Sequence, residues 1–230
     1  MKDTAVRAMF DTIASSYDFQ NSFLSLRRDS HWRKVLARTI RVGQGGIVLD
    51  VAVGTGEVAL EICRRHPGAR VVGVDFSSAM LGVARQKIAA RRSAGRIALA
   101  AGDGRRLPVA DNRVEAVTIS FGIRNIEERH LALAEFYRVL KPGGQLLIME
   151  FSYPDTPLPG SLYRFYFDHI LPPLGNLLSR TDYAYSYLAE SVEGFPRDDE
   201  FLKEIGAAGF HDLKIKKLTF GIAKIYQGVK

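Results

Sequence analysis

The stretch that decides the fold is "GIVLDVAVGTGEVALEICRRH" (Gly46–His66). It opens with an apolar run, Gly46–Ala52, that stops at glycines and reads as a strand buried on both faces. Gly54 and Gly56 follow, with Ala59 three residues later, so the turn fits G-x-G-x-x-[G/A], and "GEVALEICRRH" then reads as a helix. A strand, a glycine turn and a helix in that order open a doubly wound α/β sheet.

Outward from that stretch the alternation continues. "ARVVGVD" (69–75), "RIALAAGD" (96–103), "VEAVTIS" (114–120) and "QLLIMEF" (145–151) read as further strands. The intervening segments, "SSAMLGVARQKIAARR" and residues 127–140, carry helical spacing, with Ser77 or Ser78 as N-cap of the first. "KPGG" (141–144) breaks the chain before the fifth strand, and a helix around Phe201–Ala208 precedes two strands near 212–219 and 222–228. The pattern predicts one domain over residues 1–230, a mostly parallel seven-stranded sheet with helices on both faces and an antiparallel C-terminal strand. In such a sheet the ligand lies beyond the carboxyl ends of the strands, which brings Asp50, Asp75, Asp103 and Ser120 to one rim.

Two segments stand outside the alternation. Residues 1–41 hold amphipathic helices, one carrying Val6, Met9, Phe10 and Ile13 on a single face. Residues 152–197 hold seven aromatics between 161 and 187 and are interrupted by Pro172 and Pro173, which reads as a lid.

Composition removes several classes. Hydrophobic residues make up 47% and charged residues 25%, values of an ordinary globular chain with a sizeable core. Cys63 is the only cysteine, which fits a reducing cytoplasm. No signal peptide or membrane-spanning run is read, and no His, Cys or Asp cluster has metal-ligand spacing. The net charge of +7 is uneven: seven basic residues fall within 85–106, and residues 1–41 carry eight basic against four acidic. That distribution suits a solvated face, anionic lipid or nucleic acid; the lack of an appended RNA module argues against nucleic acid. A homodimer stays open.

The charges around the glycine turn bear on the cofactor. A pyrophosphate is bound by bare N–H groups at a helix N-terminus. Here Asp50 and Glu57 flank the turn, and two carboxylates repel phosphate but welcome a cation. S-adenosylmethionine carries a sulfonium and an ammonium and no phosphate, and it is the expected cofactor. Asp75, with Phe76 beside it, is placed to take the ribose hydroxyls, Asp103 the adenine amino group, and the glycines the amino-acid part. A nicotinamide dehydrogenase is the competing reading of the glycine spacing.

The motifs "LDVAVGTGEVAL", "GVDFSSAML", "AGDGRRLPVADN", "ISFGIRNI" and "RVLKPGG" resemble the class I methyltransferases. "FDTIASSYDFQNSFLSL" with "HWRK" (10–34), "FGIRN" (121–125), and "YAYSYLAESVEGFP" with "LTFGIAKIYQG" resemble more narrowly the quinone-biosynthesis C-methyltransferases that act on demethylmenaquinol and its ubiquinol-pathway counterpart. The resemblance implies that Thr55, Asp75, Asp103, Gly104 and Ser120 contact the cofactor. It also implies that Arg124 and Asn125, with Tyr17 and Asn21, face the ring of a lipid-soluble quinol, and Arg124, Asn125 and Tyr17 are the expected catalytic residues. Phe121 and the lid residue His169, a candidate base, are expected at the substrate by their position. The chain departs from the family where Val53 replaces a small residue, Glu57 an aspartate, and Arg27 or Arg28 a glycine.

Such chemistry methylates a ring carbon beside a phenolic hydroxyl. A phenol titrates near 10, so the protein must favour its ionised form. Arg124 stays protonated and cannot be an ordinary base, but a guanidinium stabilises a phenolate.

Overall fold

In a computed structural model, residues 2–25, 27–91, 94–153 and 184–230 are described. Most of the expected lid, 154–183 with His169, lies outside them. Three helices come first: α1 (Lys2–Ile13), α2 (Tyr17–Leu24) and α3 (Arg28–Thr39). Then β1 (Ile47–Val51), α4 (Glu57–Arg65), β2 (Arg70–Asp75), α5 (Ser78–Ala89), β3 (Ile97–Ala101), β4 (Val114–Ser120), α6 (Arg129–Val139) and β5 (Leu140–Phe151) alternate. The described chain closes with α7 (Ala184–Glu193), α8 (Asp198–Ala207), β6 (His211–Leu218) and β7 (Ala223–Val229).

The sheet has seven strands in the order β3-β2-β1-β4-β5-β7-β6. The first five are parallel, and β7 lies antiparallel between β5 and β6. Sequence expectation and structure agree on this architecture. They differ at "KPGG", expected as a break before the fifth strand. It is part of β5, where the pairing with β4 jumps from Val114↔Leu140 to Ala116↔Gln145 and Gly143 takes φ 77.

Successive side chains of each central strand go to opposite faces, and both faces are covered. Val48, Val71, Ala116 and Leu147 pack with Trp32, Leu36 and Ile62 of α3 and α4. Leu49, Val117, Ile119 and Ile148 pack with Phe136 of α6 and Phe201 of α8. A third, smaller cluster joins Ile13 and Ala14 to Met80 and Val192, so the N-terminal helices and α7 close over the carboxyl end of the sheet.

The Val53 side chain finds its space at Gly73. A Cβ on Gly73 would stand 2.8 Å from Val53 Cγ2 and 2.8 Å from Leu99 Cδ2, inside contact distance. Overpacking of this kind costs about 1–3 kcal/mol. Gly73→Ala is expected to lower stability by that amount in urea unfolding, and Val53→Ala added to it should recover part of the loss. Independent, additive effects would rule out this steric coupling.

Candidate active site

Two non-helical turns shape the rim. After β1 the chain turns through Ala52 (φ 51), Gly54 (φ 54) and Gly56 (φ 85), and after β4 through Phe121 (φ 57). Left-handed backbone at the non-glycine residues Ala52 and Phe121 is strain of the sort held at functional sites. A Cβ on Gly122 would meet Ala52 Cβ at 2.7 Å, so glycine lets the two turns approach.

The first turn is organised by Asp75 at the end of β2. Its Oδ2 accepts from the Gly54 N–H at 2.7 Å and its Oδ1 from the Ser77 N–H at 2.9 Å. Burial pushes its carboxyl up, and backbone N–H groups of Ser77, Gly54 and Phe76 oppose that. The Gly54 N–H is thus consumed by a carboxylate and is not free for a phosphate.

Beside this turn lies a cleft of about 850 Å³ open to solvent. Gly54, Asp75, Phe76, Asp103, Gly104 and Ser120, all expected at the cofactor, line it. Among the described residues the buried Ser120 hydroxyl has no hydrogen-bond partner, as expected of a group awaiting a ligand. Asp103 is gripped by Arg105 through Nε and, at 2.7 Å, Nη2, which holds its carboxyl below the usual range. Arg105 also pairs with Glu128 at 3.1 Å, so the basic residue of this cleft is committed to carboxylates. Acidic and apolar walls with the glycine N–H already taken fit S-adenosylmethionine and do not fit a dinucleotide.

Three residues expected at the cofactor, Asp50, Thr55 and Gly56, do not line the cleft. Asp50 is 1% exposed, one residue short of the end of β1, and does not line the cleft. It accepts from the Thr118 hydroxyl at 2.7 Å, its other oxygen has no partner among the described residues, and burial pushes its carboxyl up to about 7. Thr55 turns away to donate to Asp18 of α2 at 2.6 Å, and Gly56 packs on Ala84 as the N-cap of α4. Glu57 pairs with Lys87 at 2.8 Å, and Lys87 also binds Asp18. The flanking carboxylates therefore brace the turn and α2 and give the cleft little charge.

A second cavity, about 640 Å³, shares Phe10, Tyr17 and Phe121 with the cleft. Arg124 enters it from a short 3-10 helix, Ile123–Asn125. Its Nη1 donates to the Phe121 carbonyl at 2.6 Å and to Glu150 Oε1 at 2.7 Å, and its Nε to Ser191 of α7 at 3.2 Å. Glu150 is wholly buried; burial raises its carboxyl and the Arg124 guanidinium opposes this. Asn125 lines the cleft, and its carbonyl accepts from the Tyr187 hydroxyl at 3.1 Å. Tyr17 and Asn21 line the second cavity, and burial raises the Tyr17 phenol. Phe121 stacks on Phe151 with centroids 4.2 Å apart. Among the described residues no group of His, Cys, Asp and Glu could hold a metal ion.

Sequence reasoning passed over Phe10, Glu150, Tyr187 and Ser191. Glu150 carried a signal, as the one acid in the apolar strand "LLIMEF". The others depend on contacts between distant elements.

A doubly wound sheet with an antiparallel seventh strand and an acid-braced glycine turn defines the S-adenosylmethionine-dependent methyltransferase class. The chain superimposes on a methyltransferase of Thermotoga maritima, described as a possible histamine N-methyltransferase, with a TM-score of 0.69, 18% identity and coverage of 97% of this chain and 98% of that one. The chain belongs to the ubiE/COQ5 methyltransferase family, whose profile matches residues 1–230. It is 44% identical, over 100% of its length and 97% of the relative's, to the ubiquinone/menaquinone biosynthesis C-methyltransferase UbiE of Geotalea daltonii. It is 43% identical to the demethylmenaquinone methyltransferase of Deinococcus radiodurans, covering 100% of this chain and 94% of that protein.

Asp50 supplies a test. Its folded value near 7 lies above the ordinary 3.8, so the folded state holds the proton more tightly. The stability this contributes is complete below the unfolded value and is lost as pH rises through the folded one. The unfolding free energy of the wild type relative to Asp50→Asn should therefore fall by about a few kcal/mol between pH 4 and pH 8. Parallel pH profiles would show that Asp50 is not buried as described.

Proposed function

We propose that the chain is an S-adenosylmethionine-dependent C-methyltransferase acting on the ring of a polyprenylated quinol. The observation that carries this reading is the pair of joined cavities, an acid-edged cleft and an aromatic chamber with Arg124 in its wall. Names of relatives point to demethylmenaquinol and its ubiquinol-pathway equivalent.

S-adenosylmethionine, when bound, supplies a methyl group on a sulfonium. Asp75 would hold the ribose hydroxyls, and Asp103 and Gly104 would border the adenine. The unpartnered Ser120 hydroxyl is left to meet the amino-acid end. In the chamber, Arg124 stabilises the phenolate form of the quinol hydroxyl beside the acceptor carbon, which makes that carbon nucleophilic. Glu150 and the Phe121 carbonyl fix the guanidinium beforehand, so little reorganisation accompanies the charge. The raised Tyr17 phenol keeps its proton at neutral pH and can donate to a ring oxygen, and Asn125, oriented by Tyr187, borders the donor side. Trp32, Phe121 and Phe151 form a wall that excludes water.

Binding the substrate requires contact with a bilayer. Among the described residues no helix is long and apolar enough to cross a membrane. Phe19 is 63% and Phe220 75% exposed, and the Trp32 indole bonds Thr219, which sets Phe220 beside the basic α3. These features support peripheral docking on anionic lipid.

Labelled S-adenosylmethionine and a short-tail demethylated naphthoquinol or benzoquinol should yield product methylated on a ring carbon. Methyl transfer to oxygen, or none to either ring, would overturn the assignment. Arg124→Lys and Arg124→Ala should bind S-adenosylmethionine nearly normally in calorimetry yet lose about 10²–10³-fold in turnover; equal loss of cofactor binding would remove Arg124 from the chemistry. The protein should pellet with anionic liposomes at low salt and be released at high salt, and failure to pellet at low salt would refute docking.

A further inference from the structure

Beyond Tyr17, the second cavity has a polar wall that takes no part in the chemistry above. Tyr17, Asn21, Ser25, Asp29 and Arg33 recur every four residues from α2 into α3, and all five line that cavity. Toward its end the stripe becomes charged. Asp29 is 4% exposed; its Oδ1 accepts from the Ser25 hydroxyl at 3.0 Å and its Oδ2 from Arg33 Nη2 at 2.7 Å. Both carboxylate oxygens are thus in use. Among the described residues Asp29 is the hydrogen-bonding partner of Arg33, and the bond uses Nη2, so Nε and Nη1 have none.

Arg124 and Arg33 follow one design. Each guanidinium is anchored on a buried carboxylate, Glu150 or Asp29, at 2.7 Å, and each lines the same chamber from a different element. Anchoring fixes the fork and offsets its charge, and leaves N–H donors for an oxygen on a flat ligand. One guanidinium beside the acceptor carbon suffices for methyl transfer to a simple phenol. A second, carried by another helix on the wall of the same chamber, suits a ring with another oxygen.

We propose that Arg33, held by Asp29 and Ser25, binds the second hydroxyl of a para-diol ring whose first hydroxyl faces Arg124, so that the chamber selects 1,4-quinols over monophenols. This rests on the quinol reading of the site. Arg33 acts as a specificity-determining residue and takes no part in bond making.

The experiment compares a short-tail 1,4-naphthohydroquinone with the matching 1-naphthol lacking the second hydroxyl. A hydrogen bond to a charged group that is lost on one side alone is worth about tenfold or more in affinity. Arg33→Met should raise KM for the diol by about tenfold, leave KM for the naphthol within about twofold, and leave S-adenosylmethionine affinity unchanged. Because Arg33→Met strands the buried Asp29 carboxylate, the double variant Asp29→Asn/Arg33→Met, which removes both charges, is measured alongside. It should show the same selective loss. Equal losses on both ligands, or no loss on the diol, in whichever variant is folded by circular dichroism would overturn the proposal. Failure of the wild type to methylate either ring would instead refute the quinol reading itself.

Discussion

The site depends on one carboxylate. Asp75 ends β2 and takes the N–H of Gly54, 21 residues earlier, and the N–H of Ser77 at the start of α5. These bonds tie together the turn after β1, the end of β2 and the N-terminus of α5, three pieces of backbone otherwise free to shift independently. Charge-assisted bonds from backbone N–H groups are the strong kind, and they offset the cost of placing a carboxylate where water barely reaches. The glycine turn is thereby pinned in a left-handed path, and its N–H faces an acid. That arrangement separates this cleft from phosphate-binding versions of the same fold more firmly than the glycine spacing does.

A second layer of polar contacts holds the N-terminal helices over the sheet. Asp18 receives the Thr55 hydroxyl and Lys87, while Asp11 receives the Ser77 hydroxyl at 2.5 Å. Ser77 caps α5 as well, accepting from the Met80 N–H at 3.1 Å. Thr55, expected to touch the cofactor, thus holds the roof. The apolar contacts run in parallel, with Phe10 set edge-on to Phe76 and Tyr17 at 6.4 and 6.1 Å. Individually such partly exposed ion pairs add little; as a set they specify where α1 and α2 sit.

Much of the fold was legible because buried parallel strands leave unbroken apolar runs and glycines mark their ends. What went unread has particular causes. Asp50 sits one residue below the rim, a margin finer than strand ends can be placed by sequence, and that residue decides between a wetted acid and a buried one. Thr55 and Glu57 look like cofactor ligands until Asp18 and Lys87, 37 and 30 residues away, are seen to claim them. Arg124 and Asn125 stood out as polar groups just past a buried strand. Glu150, which fixes Arg124, hid within another strand, and Arg33 within an amphipathic helix whose cavity face cannot be told from its solvent face by periodicity.

The two cavities have walls in common. Phe10, Tyr17 and Phe121 border both, so any movement of these rings toward a guest on one side reshapes the wall met by a guest on the other. Whatever coupling these rings carry between the two guests is governed by thermodynamic reciprocity: the factor by which the first alters the grip on the second equals the factor by which the second alters the grip on the first. A partition made of three rings is thus a boundary across which either pocket can sense the other's occupant.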